Sequence, residues 1–453
     1  MEQVHIDTTL ESIRSALEAG RVDEAIAALI RLRPPDRADA FADLDDNDQA
    51  TLLPRLDIPA TADLLEELET EEALDAAETL PSERLADVLD EMDPDEAADI
   101  LGDLSPDRAA AALAQMEDAD EVRPLLGHPD ETAGGLMTTD YIALRRHTTA
   151  TQAIQFLRET LGPTTRPYYL YVVDRNKRLL GVVGLRELVV APPEAVAESI
   201  MSRDLVSVTA GTDQEDVART LAHYGLTALP VVDDDGVLQG VVTHDDVIDV
   251  LEQETTEDVL HLGGIESGPI SDKPYWTQRI PEIVRSRFVW LLGLFAAETL
   301  TGTVLRHFHD ELAAVITLSY FIPLIIGTGG NAGSQTVTSV IRALALKEVR
   351  RRDVMRVLWR EVRTSLALGL LLGTVAFGRV MLWGVGWHIA VIVGVTILAV
   401  CMWANVVGSL IPIAADSLGI DPTVMSAPLI ATLVDATGLL IYMTVAGFIL
   451  TEI

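Results

Sequence analysis

Residues 324–344 read LIIGTGGNAGSQTVTSVIRAL, a glycine-rich polar run set between segments apolar enough to lie in a bilayer. In hydrocarbon, each backbone polar group without a partner costs several kcal/mol, so such a run survives only when packed in protein or facing water. Pro323 precedes it, and a proline frees a carbonyl. The reading is that carbonyls around Gly329 and Gly330, with the Asn331 and Gln335 amides, face a hydrated path. Packing through small residues explains the glycines and the serine but not the two amides together. A nucleotide phosphate loop is excluded, because GTGGNAGSQT has no lysine where the phosphate needs one.

Working outward, apolar stretches lie near 288–305, 312–341, 365–386, 389–411 and 424–450. Each approaches or exceeds the roughly 20 residues that a helix needs to cross about 30 Å of hydrocarbon. Arg279, Arg285 and Arg287 precede the first, and Arg342, Lys347, Arg350, Arg351, Arg352, Arg356, Arg360 and Arg363 lie between the second and third. Both clusters belong in the cytoplasm by the positive-inside rule, which puts the C-terminus outside after five crossings. Arg379 is expected to snorkel toward Trp383 and Trp387 at the outer surface.

Asp435, in SAPLIATLVDATGLLIYM, falls about eleven residues into the last stretch. A carboxylate at that depth costs at least about 2.5 kcal/mol and normally faces a cavity. Glu298, flanked by Thr299, divides evenly between a path-facing and a structural role. Two copies meeting about a twofold axis would pair their Asp435 side chains, matching the charge of one divalent cation. With oxygen donors and no thiolate cluster at depth, the chemistry favours Mg2+, held through its waters, and leaves Mn2+ and Co2+ open. His307, His309, Asp310 and Glu311 read as a solvated outer loop. The single cysteine, Cys401, excludes an internal disulfide and a multi-cysteine metal site.

The charge is segregated. Residues 1–270 hold 19 Lys+Arg against 58 Asp+Glu, whereas residues 271–453 hold 14 against 12. So negative a field repels nucleic acid and concentrates cations, though adaptation to salt would produce the same surface. The opening MEQVHIDTTLESIR has neither the basic start nor the apolar core of a signal peptide, which keeps this region in the cytoplasm. Prolines at 81, 94 and 106 punctuate short amphipathic runs such as LPSERLADVLDEM and MDPDEAADILGDL, the mark of stacked short helices.

From about residue 134 a repeat appears: GLMTTDYIALRRHTTATQAIQFL and YYLYVVDRNKRLLGVVGLRELV are answered by SIMSRDLVSVTAGTDQEDVARTL and ALPVVDDDGVLQGVVTHDDVIDVL. Met137 corresponds to Met201, Asp174 to Asp233 and Gly181 to Gly240. The pattern resembles a tandem pair of CBS domains, β-α-β-β-α modules that dimerise through their helices and sense small ligands. The second copy runs on into a helix that Gly263 and Gly264 end.

Taken together, FIPLIIGTGGNAGSQTVTSVIRALAL, LVDATGLLIY, the CBS pair and the acidic helical region resemble the MgtE family of magnesium channels and transporters. The expected fold is a multidomain α and α+β membrane protein. It comprises an α-helical superhelix over 1–130, a CBS pair over 131–250 (copies at about 134–192 and 196–250), a connecting plug helix over 251–270 and five transmembrane helices over 271–453. The resemblance implies a homodimer in the inner membrane whose second and fifth spans line a Mg2+ path, with Asp435 at the ion. It also implies closure by Mg2+ bound between acidic cytosolic domains. The positions matching that sensor are Asp213, Glu215, Asp246, Asp249, Glu254, Glu257, Asp258 and Asp421, with Asp95 and Asp99 as partners.

CBS domains often bind adenine nucleotides such as ATP, and Thr243 and Asp246 have the spacing that recognises ribose. The alternatives are a broader Mn2+/Co2+ transporter and a membrane-anchored CBS sensor. An enzyme is the least favoured class, since no nucleophile–base pair emerges.

Overall fold

The computed structural model describes residues 2–160, 169–267, 275 and 278–451. The end of the expected connecting helix, 268–270, lies outside the described residues, as does Tyr168 at the head of a repeat strand. The chain divides into two compact units, Met1–Glu252 and Gln253–Ile453.

The first unit opens with short helices: α1 Glu2–Glu18, α2 Val22–Leu29, α3 Pro34–Ala42, α4 Asp46–Leu52, α5 Ile58–Glu67, α6 Thr70–Thr79, α7 Ser82–Leu89, α8 Pro94–Asp103, α9 Pro106–Leu113 and α10 Ala119–Val122. Prolines occupy the first turns of α3, α5, α8 and α9, where an N–H would have no partner anyway. Asp45 and Asp57 cap α4 and α5 by accepting backbone N–H groups. Leu85, Val88 and Leu89 on α7, with Ala97, Ile100 and Leu101 on α8, form the buried stripe that stacks one helix pair on the next.

Two arginines stitch successive pairs. Arg84 donates to the Leu56 carbonyl and Arg108 to the Leu80 carbonyl, each reaching 28 residues back. Both meet an equivalent carbonyl at the end of the preceding repeat, a group with no helical partner. Removing the guanidinium strands that carbonyl, so Arg84→Ala and Arg108→Ala should each destabilise the helical stack by about 1–3 kcal/mol. A lowered thermal midpoint of the purified chain checks this.

The repeat forms two three-stranded sheets. One is β1 Ile142–Arg145, β2 Tyr169–Val173 and β3 Leu179–Gly184; the other is β4 Val208–Thr209, β5 Ala228–Val232 and β6 Leu238–Thr243. In each, the first pairing is parallel and the second antiparallel, with a bulge at Val172/Val173 in one and Val231/Val232 in the other. Asp174 and Asp233 close equivalent turns, each accepting two backbone N–H groups. Helices α11 Ala150–Thr160, α12 Leu185–Val190 and α13 Ala197–Ile200 accompany the first sheet, while α14 Gln214–Tyr224 and α15 His244–Leu262 accompany the second.

The copies are intertwined. Thr138 bridges to Val241 and Ser202 to Val182, so the segment opening each copy pairs with the other copy's sheet. A Cβ on Gly240 would meet Met137 at 2.8 Å and one on Gly181 would meet Met201 at 2.6 Å, so each methionine packs on the other copy's glycine.

The second unit holds α16 Ile280–His307, α17 His309–Ala314, α18 Ile322–Ala345, α19 Val354–Leu382, α20 Trp387–Ser417 and α21 Ala427–Thr451. Among the described residues, four helices are long and apolar enough to cross a membrane: Ile280–His307, Arg351–Leu382, Trp387–Ser417 and Ala427–Leu450. The segment expected as the second span is outside that set, because its polar residues dilute an otherwise sufficient length of 24 residues. It also differs from expectation in its backbone. Pro323 sits in the first turn of α18, where it costs nothing, and the helix continues through the glycines without a break. The carbonyls expected to face a path are therefore committed to the helix. Helix α18 packs between α20 and α21, α19 lies along α20, and α16 lies along α21. The Arg379 guanidinium lies 4.9 Å from the centre of the ring of Trp383, one of the two tryptophans it is expected to reach.

Candidate functional site

Helix α18 has two unlike faces. Ile325, Gly329, Gly330, Gly333, Thr336, Val337, Val340 and Ile341 are buried against α20 and α21. Gly327, Asn331, Gln335, Thr338 and Arg342 recur at three- and four-residue spacing on the opposite side and are exposed. The glycines thus divide by role. Gly327 lies on the open polar side, whereas Gly329 and Gly330 bring α18 against its neighbours. Asp435, half-buried on α21, comes to that contact, its Oδ1 lying 3.5 Å from where a Cβ on Gly330 would stand. Glu298, on the adjoining α16, is the charged neighbour of Asp435 and is itself exposed. Asp435 and Glu298 therefore meet where Gly330 packs α18 against α21, while the polar side of the same helix stays open.

The two adjacent glycines predict different phenotypes. A Cβ at 329 would lie 2.5 Å from Val400 Cγ1 and 2.9 Å from Val434 Cγ1, so Gly329→Ala should overpack the helix contact at a cost of about 1–3 kcal/mol. At 330 the nearest atom is Ala431 Cβ at 3.4 Å, so Gly330→Ala should leave stability unchanged while placing a methyl beside Asp435. Thermal midpoints and ion flux of the two variants check the split.

In the first unit, α8 and the start of α15 bring acids together. On α8, Glu96 lies in the fields of Asp95 and Asp99, and all three lie in that of Asp246. Desolvation, followed by these neighbours, pushes Glu96 up to about 9. Desolvation and the Asp130, Asp103 and Asp246 charges push Asp99 up to about 7. Glu66 also rises to about 7 through desolvation, although it accepts the Asp93 N–H at 2.8 Å. Burial, with Asp246 and Asp93, holds Asp95 well above the usual carboxylate range, and its Oδ1 is buried with no hydrogen-bond partner. Asp246 is raised by burial despite accepting from Thr243 Oγ1 at 2.7 Å and Thr243 N at 3.2 Å, which also caps α15. Asp249 rises by desolvation and by the charges of Glu252 and Asp245. Among the described residues, no three His, Cys, Asp or Glu side chains converge closely enough to grip an ion directly. The donors are all oxygen, and the orphaned Asp95 Oδ1 suits a hard, hydrated cation reached partly through water.

Two of the expected sensor acids also have local partners. Asp213 is the exposed N-cap of α14, accepting the Glu215 N–H at 3.0 Å, and Glu215 pairs with Arg219.

The second unit holds a separate group at the end of α15. His261 Nδ1 lies 3.2 Å from Thr423 Oγ1 and 3.4 Å from Asp421 Oδ2, and its Nε2 lies 2.9 Å from Ser267 Oγ. Ser267 Oγ donates to Glu257 Oε1 at 2.8 Å. Glu254 and Asp258 lie on the same helix, half-buried. Glu257 and Asp421 are thus bridged by His261, Ser267 and Thr423, none of which stood out in the sequence. The one available signal was the i, i+4 spacing of Glu257 and His261 on the connecting helix.

Three family models match the chain: MgtE, described as a divalent cation transporter, over 322–445; the MgtE intracellular N domain over 11–131; and the CBS domain over 133–194 and 196–253. The chain is 41% identical to a magnesium transporter MgtE of Thermus thermophilus over 74% of its own length and 73% of that protein's. It is 35% identical to the corresponding protein of Enterococcus faecalis over 73% and 72%. Among solved structures, the cytosolic domain of the Mg2+ channel MgtE in complex with ATP matches 53% of this chain and 99% of that one, at 36% identity and a TM-score of 0.50. With two curated relatives above 30% identity over more than two thirds of their length, and the family's own models on both halves, the chain belongs to the MgtE family.

Proposed function

We propose that the chain is a magnesium transporter that works as a homodimer, with α18 and α21 of both copies lining the path and Asp435 facing the ion. The observation that carries this is the exposed polar face of α18, on the helix that also meets Asp435 at Gly330. Against lipid, Asn331, Gln335 and Thr338 would forfeit hydration; a second copy across that face leaves a hydrated seam. Amides and a carboxylate around such a seam suit Mg2+, which keeps its waters and needs only one or two carboxylates. On this reading α18 is a fifth span, the basic residues from Arg342 to Arg363 stay cytosolic, and the C-terminus is outside. Two positive charges moving inward through about 100 mV gain roughly 4.6 kcal/mol, enough to drive uptake.

The same reading assigns closure to cytosolic Mg2+. Asp95, Asp99 and Asp246, with Glu96 beside them, would hold one ion. Glu254, Glu257, Asp258 and Asp421 would hold another at the end of α15, which then serves as the plug. Asp213, Glu215 and Asp249 stand at the edge of this set. A bound divalent cation supplies positive charge that turns repulsion among these acids into attraction, which favours the compact state. Thr243 and Asp246 would meet the ribose of ATP at the CBS pair, so nucleotide and ion share Asp246 and are coupled there.

Mg2+ uptake into proteoliposomes tests this. The wild type should admit Mg2+ at low internal Mg2+ and slow as it rises, and a chain lacking residues 1–252 should lose the slowing. A wild type that carries no Mg2+ would leave the spans as a mere anchor for the CBS pair.

A further inference from the structure

The basic residues at the start of α19 are distributed unevenly around the helix. Val357, Ser365, Gly369, Gly373, Ala376 and Val380 form its buried side, packed on α20. On the other side, Arg356, Arg360 and Arg363 follow at spacings of four and three residues, with Arg352 in the 3-10 turn Arg351–Asp353 just ahead of the helix; all four are exposed, with Met355 and Trp359 between them at 74% and 62% exposure. Farther along this side the exposed residues become aliphatic: Leu366, Leu370, Leu371 and Val375.

The neighbouring Arg351 differs, since its Nε lies 3.0 Å from Asp416 Oδ2 and its charge is met within the protein. Among the described residues, Arg352, Arg360 and Arg363 have no acidic partner within ion-pair distance, and Arg356 approaches only Asp353, at 3.9 Å. The Arg363 guanidinium instead lies 5.5 Å from the centre of the Trp359 ring, and its Nε donates to the Trp359 carbonyl at 3.3 Å. Guanidinium groups above, an indole at the boundary and a leucine ridge below reproduce, on one helix side, the vertical profile of a phospholipid.

We infer that this side of α19 binds an anionic phospholipid. Arg352, Arg356 and Arg360 receive the phosphate, Trp359 braced by Arg363 lies at the glycerol level, and Leu366, Leu370 and Leu371 follow the acyl chain. Orientation alone would be satisfied by cations anywhere around the helix end. Here they occupy the side that continues into the lipid-facing ridge, where the anions within reach are lipid phosphates. Guanidinium suits that ligand because its fork matches two phosphate oxygens. The inference rests on reading α19 as a membrane span, and not on which ion the protein carries.

The test uses the full chain, stripped of lipid in neutral detergent and titrated with phosphatidylglycerol or phosphatidylcholine while bound lipid is read by native mass spectrometry. The wild type should prefer phosphatidylglycerol and lose that preference with added salt. The triple substitution Arg352→Gln, Arg356→Gln, Arg360→Gln should lower phosphatidylglycerol affinity at least about tenfold and leave phosphatidylcholine unchanged. The triple lysine variant, retaining charge without the fork, should fall between them, and Arg351→Gln should bind as the wild type. Wild-type affinity in the glutamine variant, shown folded by size exclusion, overturns the site. So does displacement of the lipid by millimolar inorganic phosphate, which would make the ligand a soluble anion. Release of the chain from membranes by alkaline carbonate would instead overturn the span reading beneath it.

Discussion

Asp435→Ala should reduce Mg2+ flux in proteoliposomes to the level of protein-free vesicles, and Asp435→Asn should reduce it at least about a hundredfold. Two unit charges about 4 Å apart at an effective dielectric near 20 are worth roughly 4 kcal/mol, and a divalent ion between two copies sees more than one such interaction. Each 1.4 kcal/mol is a factor of ten. The asparagine keeps the shape and removes only the charge, so its loss measures electrostatics. Neither substitution should harm the fold, because a half-buried carboxylate beside Glu298 is an electrostatic burden on the unit that carries it. An unchanged or raised thermal midpoint together with abolished flux is the expected pair of results. Retained flux in Asp435→Asn would remove the carboxylate from the path.

The second large effect concerns the acidic cluster of α8 and α15. Glu96, pushed up to about 9, and Asp99 and Glu66, at about 7, hold protons in the folded unit that the unfolded chain releases near the ordinary values of 4.5 for the glutamates and 3.8 for the aspartate. A raised folded value means the contribution to stability is fully present below about pH 4.5 and is lost as pH rises through about 7 and then 9. In the absence of divalent cations, the first unit's thermal midpoint should therefore fall between pH 5 and 9, each pH unit over which one of these groups keeps its proton only in the folded unit costing about 1.4 kcal/mol. Millimolar Mg2+ should restore most of it at pH 8 and little at pH 5, where protons already neutralise the acids. Asp95→Asn with Asp99→Asn should flatten the pH profile and weaken the Mg2+ effect together. A Mg2+ response that survives those substitutions would move the sensor elsewhere.

The Gly329 and Gly330 variants connect these effects to packing. Both glycines belong to the polar run and both are buried, yet only at 329 would a Cβ clash, while at 330 it would meet Ala431 and Asp435 at ordinary contact distance. Their division could not be read from the string GTGGNAGSQ, in which all the glycines look alike. Pro323 misled for a related reason: a proline inside a span and a proline in its first turn have the same neighbours in sequence and opposite consequences for the backbone.

What the sequence determined by itself was everything carried by near neighbours. The proline-started helices, the two β-α-β-β-α copies, the Asp174 and Asp233 turns, the apolar spans and the segregation of acid all follow from periodicity, turn chemistry and composition over a few residues. Asp435 was also legible, because a carboxylate in an apolar run stands out whatever surrounds it. Only the tertiary structure decided that Met137 packs on Gly240 and Met201 on Gly181, that Asp246 joins α8, and that His261 bridges Glu257 to Asp421. It alone showed that the arginines of α19 stand on the exposed side that continues into an aliphatic ridge. These pairings join residues far apart in the chain, and their partners are chosen by which surfaces close together once the helices and sheets have formed. No local pattern records that choice, since the same amphipathic helix can turn its polar side to water, to lipid headgroups or to a second copy.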